Sequence, residues 1–286
     1  MDSLILSKMI VPHYFKMALV NINNKSIYID GFLKKNLDIA GDAVPNKNDM
    51  FLGLIDGRSG SGKSTLVDQL AYYQTKGNFS LAEKSFTVAD FSELLSEAKK
   101  GDTNNCKILD EGYEINKKKT QSKANYNILR QLQRVRNKGQ FLWICLPSVY
   151  DLDKNIILNL ATVFIHCYRK KGLYGERGHY LVYDAHRLKL LYLKCRDTLS
   201  YSISANFSGS FNHKFPSGSY EDYEKKKDEA FERIESENEK NSIVMDQRNM
   251  AIFNLKTQFN MTQVQISKAL DMNQSTVSRV LSKLES

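Results

Sequence analysis

Cysteine is scarce in this sequence and poorly placed for chemistry. Cys106, Cys145, Cys167 and Cys195 stand far apart and form no C-x-x-C pair, which speaks against a zinc site or a disulfide framework. Three of them lie in or beside apolar runs, so buried free thiols in a reducing cytoplasm are expected. Long apolar runs are missing too. The most apolar region, residues 141–168, is broken by Pro147, Asp151, Asp153 and Lys154, well before the ~18–20 continuous apolar residues that a membrane crossing needs. The opening stretch, MDSLILSKMIVPHYFK, lacks the basic segment, apolar core and small-residue cleavage site of a secretory signal. A soluble, cytoplasmic protein without a membrane span is the expectation. Acidic residues are outnumbered, 32 against 41 Lys and Arg, for a formal charge of +9. Such a balance favours a polyanionic partner, nucleic acid before an anionic membrane surface, because a basic surface attracts phosphates at long range.

What is present is an alternation. Phe51–Asp56, Lys107–Asp110, Phe141–Leu146 and Ala161–Tyr168 are short β-like runs separated by helical or polar stretches. That pattern predicts an α/β core with a mainly parallel sheet. Tyr180–Tyr183 and Leu188–Leu193, joined by Asp184-Ala185-His186-Arg187, read as an antiparallel hairpin at the sheet edge. The chain of 286 residues suits one such core and a small appended domain. The expected division is an N-terminal segment at 1–49 packing on the core, the core at 50–201, a linker at 202–245 and a small all-α domain at 246–286. The linker begins with a Ser-, Asn- and Gly-rich run, 202–219, and continues as a charged, solvated helix over 220–240. Within 1–49, Lys25–Leu33 and Asn36–Ile39 are candidates for further strands or an oligomer contact.

Gly57-Arg58-Ser59-Gly60-Ser61-Gly62-Lys63-Ser64 fits G-x-x-x-x-G-K-[ST] between an apolar strand and a helix-compatible segment from Thr65 to Gln74. Glycines let the backbone wind closely round phosphates and turn its N–H groups toward them. The first turn of the next helix adds unpaired donors and partial positive charge. The motif predicts ATP bound by residues 57–65, with Lys63 on the β- and γ-phosphates and the Ser64 hydroxyl on Mg²⁺. Ile108-Leu109-Asp110-Glu111 ends a second strand in two carboxylates. Asp110 suits a Mg²⁺-handling acid, and Glu111 a base that orients the attacking water. Ser148, at the end of the strand expected between those two, is a candidate γ-phosphate sensor.

Residues 121–138 form an expected helix with Ile128, Leu129, Leu132 and Val135 on its core face. Arg130, Arg134, Arg136 and Lys138 follow the other face. That face is a solvated surface, a contact for DNA phosphates, or the source of an arginine acting in trans within a ring, for which Arg130 and Arg134 are the candidates.

Thr262-Gln263-Val264-Gln265 reads as a capping box opening a helix to Leu270, with a turn at 271–273 and a second helix after Asn273. Ile266, Ala269, Leu270, Met272, Val277, Val280, Leu281 and Leu284 supply the apolar pattern of two crossed helices. A supporting helix over 246–259 would pack through Met250, Ile252, Phe253 and Leu255. Gln274, Ser275, Thr276, Ser278 and Arg279 are then left to reach bases and phosphates. Over about 25 residues this segment resembles the helix-turn-helix of bacterial and phage regulators and recombinases. Asp271 stands where glycine is usual, and Asp tolerates the left-handed conformation better than most residues.

DGRSGSGKST, the Asp110-Glu111 strand end, the Arg-rich helix and FLWICLPSVYDLD together resemble the phage and mobile-element ATPases of the FtsK–HerA and zonular-occludens-toxin group, over residues 50–200. The resemblance implies a RecA-like P-loop core. It also implies phosphate binding by Gly57, Gly62, Lys63 and Ser64, with metal and water handling by Asp110 and Glu111. The expected activity is Mg²⁺-dependent ATP hydrolysis on DNA by a homo-oligomer, with a ring as the candidate arrangement. An ATP-gated DNA-binding regulator is the alternative, and a small-molecule kinase a third class.

Overall fold

The computed structural model describes residues 18–111, 123–170 and 175–284. The opening sixteen residues and the first two positions of the expected helix at 121–138 lie outside them. The chain divides into two compact units, one ending at Lys225 and the other beginning at Lys226.

The first unit is built on a seven-stranded sheet. Its strands are β3 (Met50–Asp56), β4 (Lys84–Ser85), β5 (Cys106–Leu109), β6 (Gln140–Leu146), β7 (Val163–Tyr168), β8 (His179–Asp184) and β9 (Phe207–Ser210). They lie in the order β4-β5-β6-β3-β7-β8-β9, the first five parallel and the last two antiparallel. As expected, β6 lies between the strand that leads into the glycine-rich loop and the strand that ends in the acidic pair.

The central strands read as unbroken apolar runs because both faces of the sheet are covered. Along β6, Leu142, Ile144 and Leu146 enter one core, and Phe141, Trp143 and Cys145 enter the other. Along β3, Leu52 and Leu54 face the first core, and Phe51 and Ile55 the second, as the two-residue strand period requires. Gly53 has no side chain because Trp143 lies against it; a Cβ there would come 2.7 Å from Cη2 of the ring and closer to other ring atoms. The indole N–H donates to Gln74 Oε1 at 2.8 Å, so the sole tryptophan of the sequence ties β6 to the helix after the glycine-rich loop.

Helices α1 (Gly31–Asn46) and α2 (Lys63–Gln74) carry buried residues of the second core, and α3 (Val88–Glu97), α4 (Lys123–Val135) and α5 (Ala185–Cys195) those of the first. A separate hairpin, β1 (Ala18–Ile22) with β2 (Lys25–Ile29), turns at Asn23 and Asn24. Both have positive φ, 47° and 62°, the geometry that asparagine tolerates in tight hairpin turns.

Three expectations are corrected in this unit. Asn36–Ile39 is no strand but lies inside α1, which Asp30 opens by accepting from the Phe32 N–H at 3.0 Å. The hairpin expected from Tyr180 to Leu193 is strand β8 followed by helix α5. Asp184 caps that helix, accepting from the Arg187 N–H at 2.8 Å, and Leu188, Leu191, Tyr192 and Cys195 are buried at helical spacing. β8 pairs instead with β7 and β9.

The core does not end near Tyr201, and residues 202–219 are no free linker. β9 closes the sheet, and the residues after it lie along α2. The Gln69 amide donates to the carbonyls of Asn212 and Lys214 at 2.9 and 2.6 Å, and Ser217 donates twice to Asp68. Asp68 and Gln69 are buried polar groups that need partners; the Ser- and Asn-rich segment supplies them.

Helix α6 (Tyr220–Thr257) is continuous, so the charged stretch and the supporting helix expected separately are one element. In the second unit it is followed by α7 (Gln263–Ala269) and α8 (Gln274–Leu284). The capping box is present, with Thr262 Oγ1 accepting from the Gln265 N–H and Gln265 Oε1 accepting from the Thr262 N–H at 2.8 Å. Asp271 has φ 48°, in the left-handed region. Ile252, Ile266, Val277 and Leu281 form the core. Phe253, Leu255, Met261, Leu270, Met272 and Val280 pack against it partly buried, whereas Met250, Ala269 and Leu284, expected in it, are exposed.

Candidate nucleotide-binding site

The glycine-rich loop leaves the carboxyl end of β3, where ligands settle in open parallel sheets. Gly57, Gly60 and Gly62 have φ of 142°, 71° and 97°. Space is as restrictive as conformation: a Cβ on Gly57 would collide with the Cys167 carbonyl, and one on Gly62 would come 2.7 Å from the Phe211 ring. The Lys63 ammonium donates to the Gly57 and Arg58 carbonyls at 2.7 and 3.2 Å. The Ser61 Oγ is buried and has no hydrogen-bond partner among the described residues. A close-wound cradle with positive φ, a lysine within it and an unserved buried hydroxyl fits a polyphosphate. Arg58, Ser59 and Gly60 are exposed at the loop's tip, and Thr65 is half-buried in the first turn of α2.

Asp110 comes to this loop from the end of β5, next strand but one to β3. Its N–H donates to the Ser85 carbonyl of β4 at 2.8 Å, and its carboxylate is buried. Ser64 Oγ donates to Asp110 Oδ1 at 3.2 Å. Two hard oxygen donors converging beside a phosphate cradle suit Mg²⁺, which takes a hydroxyl and a carboxylate from protein and its remaining ligands from phosphate and water. Among the described residues no group of three or more His, Cys, Asp and Glu side chains forms a cage for a metal. Glu111 follows directly with φ 71°, so the chain turns sharply at the acidic pair.

Sequence reasoning missed Tyr223. This residue is buried in the first turn of α6, and its hydroxyl lies 3.2 Å from Ser64 Oγ and 3.1 Å from Asp110 Oδ2. Two hydroxyl protons and one carboxylate thus complete a triangle. Its ring packs against Phe86, Phe215 and Tyr220 at centroid distances of 5.5, 5.2 and 5.5 Å. The Lys84 ammonium stands 4.8 Å over the ring and 3.4 Å from Asp68. Burial, then the neighbouring Asp110 carboxylate, holds the Tyr223 phenol far above its usual range. Nothing in the charged stretch around it marks this tyrosine.

Also missed was the support beneath the loop. Asp56, fully buried at the end of β3, accepts from the Val149 N–H at 2.7 Å and the Tyr201 hydroxyl at 2.5 Å, and its other oxygen meets His166 Nδ1 at 2.6 Å. His166 stacks on Tyr201 with centroids 3.8 Å apart. One carboxylate therefore joins the ends of β3, β6 and β7. Arg169, just past β7, donates to the Gly60 carbonyl at 2.8 Å. The signal for these residues was their place at the carboxyl ends of strands beside the loop.

Ser148 follows β6, and its Oγ accepts from the Tyr150 N–H at 3.3 Å, capping a short 3-10 turn. Arg130 and Arg134 are exposed on α4. In the second unit, Gln274, Ser275 and Arg279 are exposed and Thr276 and Ser278 half-buried on α8.

The strand order and the loop define an α/β fold of the P-loop NTPase type. Among solved structures, the genome packaging NTPase B204 of Sulfolobus turreted icosahedral virus 2, in complex with ATP-gammaS, is 19% identical; the match covers 49% of this chain and 94% of that one, with a TM-score of 0.34. The N-terminal domain of zonular occludens toxin from Neisseria meningitidis is 17% identical over 58% of this chain and 95% of that one, with a TM-score of 0.38. The replication initiator DnaA, bound to AMPPCP and single-stranded DNA, is 12% identical over 87% of this chain and 86% of that one, with a TM-score of 0.30. No family model matches the chain, and no curated protein matches it in sequence.

Proposed function

We propose that this chain is a Mg²⁺-dependent ATPase acting on DNA, in the packaging, transfer or partition of a virus, plasmid or mobile element. The observation that carries the reading is the meeting of Lys63, Ser64 and Asp110 at a tightly wound loop whose glycines all have positive φ. In it, the loop amides and Lys63 bind and orient the triphosphate. Ser64 and Asp110 hold Mg²⁺, which when bound offsets charge on the phosphate oxygens. Glu111 takes the proton of the attacking water, and Ser148 contacts the γ-phosphate. Arg130 or Arg134 acts on a neighbouring subunit's site if subunits form a ring. The α7–α8 pair serves as a helix-turn-helix, with Gln274, Ser275, Thr276, Ser278 and Arg279 on DNA.

A second reading, an ATP-gated DNA-binding regulator that does not translocate, is favoured by Tyr223, since its contacts at Ser64 and Asp110 suit a switch. Among the described residues no helix is long and apolar enough to cross a membrane. The test is ATP turnover with and without duplex DNA, joined to displacement of a protein roadblock from that DNA. Stimulated turnover with displacement supports the motor over the regulator; turnover indifferent to any DNA contradicts the motor.

A further inference from the structure

We propose that Tyr223 gates the metal site: its hydroxyl and Mg²⁺ compete for Ser64 and Asp110, so nucleotide binds with its metal only when the first turn of α6 gives way. The inference rests on the nucleotide reading above and adds a regulatory residue to it.

Distances of 3.1 and 3.2 Å put the phenol oxygen within hydrogen-bond reach of both side chains that would serve the metal, and they are themselves 3.2 Å apart. A cation held by that pair has to take space and lone pairs that the hydroxyl now uses. Mg²⁺ tolerates little distortion of its octahedral oxygen shell, and a phenol so placed is a competitor for the same acceptors. The competitor is held firmly. Phe86, Phe215 and Lys84 enclose the ring, and Lys84 is paired with Asp68, which also takes two bonds from Ser217. The residues from Phe211 to Tyr223 therefore form a strap across the loop and α2. Phe211 stands over Gly62 at one end, and Tyr223 lies on the metal pair at the other.

Asp68 and Lys84 explain the strap's docking but not the hydroxyl. Phenylalanine would satisfy the aromatic cluster, and what tyrosine adds is the oxygen on Ser64 and Asp110. Tyr223→Phe thus separates packing from gating.

The experiment uses the full chain and measures equilibrium binding of a slowly hydrolysed ATP analogue at a series of Mg²⁺ concentrations and in EDTA. In Tyr223→Phe the Mg²⁺ midpoint is expected to fall about tenfold, through loss of the hydroxyl's hydrogen bonding to the pair, while affinity in EDTA changes less than about twofold. Hydrogen exchange on the wild type gives the second readout: amides of residues 211–223 exchange faster with analogue and Mg²⁺, and not with analogue in EDTA. An unchanged or raised midpoint, or protection of the strap by the metal complex, overturns the gate and leaves nucleotide binding standing. Failure of both proteins to bind analogue under any condition overturns the nucleotide reading itself, and the gate with it.

Discussion

Ser64 Oγ and Asp110 Oδ1 stand 3.2 Å apart although 46 positions separate them in the chain. The contact follows from topology. β6 lies between β3 and β5, and the right-handed crossovers of a parallel sheet bring the ends of these strands to one edge. Replacing Asp110 with Asn keeps the shape and removes the charge. The expected outcome is a fall of about 10–100-fold in Mg²⁺ affinity of the nucleotide complex, with nucleotide affinity in EDTA nearly unchanged. A metal titration by calorimetry checks it.

Glu111→Gln retains the side chain's size but removes the carboxylate that the proposed function assigns as the base. Nucleotide affinity should stay within about threefold of wild type, while turnover falls by about 10²–10⁴-fold. Single-turnover kinetics with labelled ATP reads the two quantities separately; equal turnover by the variant would remove Glu111 from the chemistry.

Asp56 accepts from three elements at once, and it is fully buried. Asp56→Ala leaves the Val149 N–H and the Tyr201 hydroxyl without an acceptor and His166 without its partner, a loss of about 3–5 kcal/mol for breaking such a buried set. The urea midpoint of the first unit should drop accordingly. A change under about 0.5 kcal/mol would show that water replaces the carboxylate freely.

Burial pushes the thiols of Cys106, Cys145 and Cys167 well above the usual range. A raised pKa means less thiolate at pH 8, and thiolate is the reactive form. These three should label with an aromatic disulfide reagent only when urea unfolds the chain. Cys195 is buried as well, but its Sγ lies 3.4 Å from the Ser202 hydroxyl, whose bond holds the thiol below the usual range, so it should be the first of the four to label as urea is raised. Mass spectrometry of the labelled peptides decides the order.

The parts of the fold that the sequence announces are those with one strong local cause. Strands β3, β5, β6 and β7 show as apolar runs because both of their faces are covered. Thr262 with Gln265 and the left-handed Asp271 are local backbone solutions visible from residue type alone. Leu188–Leu193 is misread as a strand because a short apolar run suits either period, and only the Asp184 cap decides for helix. The strap was illegible for a different reason. Its polar residues look solvated until Asp68 and Gln69 are known to lie buried beneath them. Tyr223 shares that fate, since its partners Ser64 and Asp110 are distant in sequence and the charged helix around it carries no periodic apolar signal.

The most direct test of the account is binding of ATP with Mg²⁺ to the wild-type chain and to Lys63→Ala, measured by calorimetry on proteins shown to be folded alike. Saturable one-to-one binding by the wild type, weakened about 100-fold or more in the variant by loss of a charge-assisted contact of about 3 kcal/mol, is the predicted result. Equal binding by the two proteins, or none by the wild type, would contradict it.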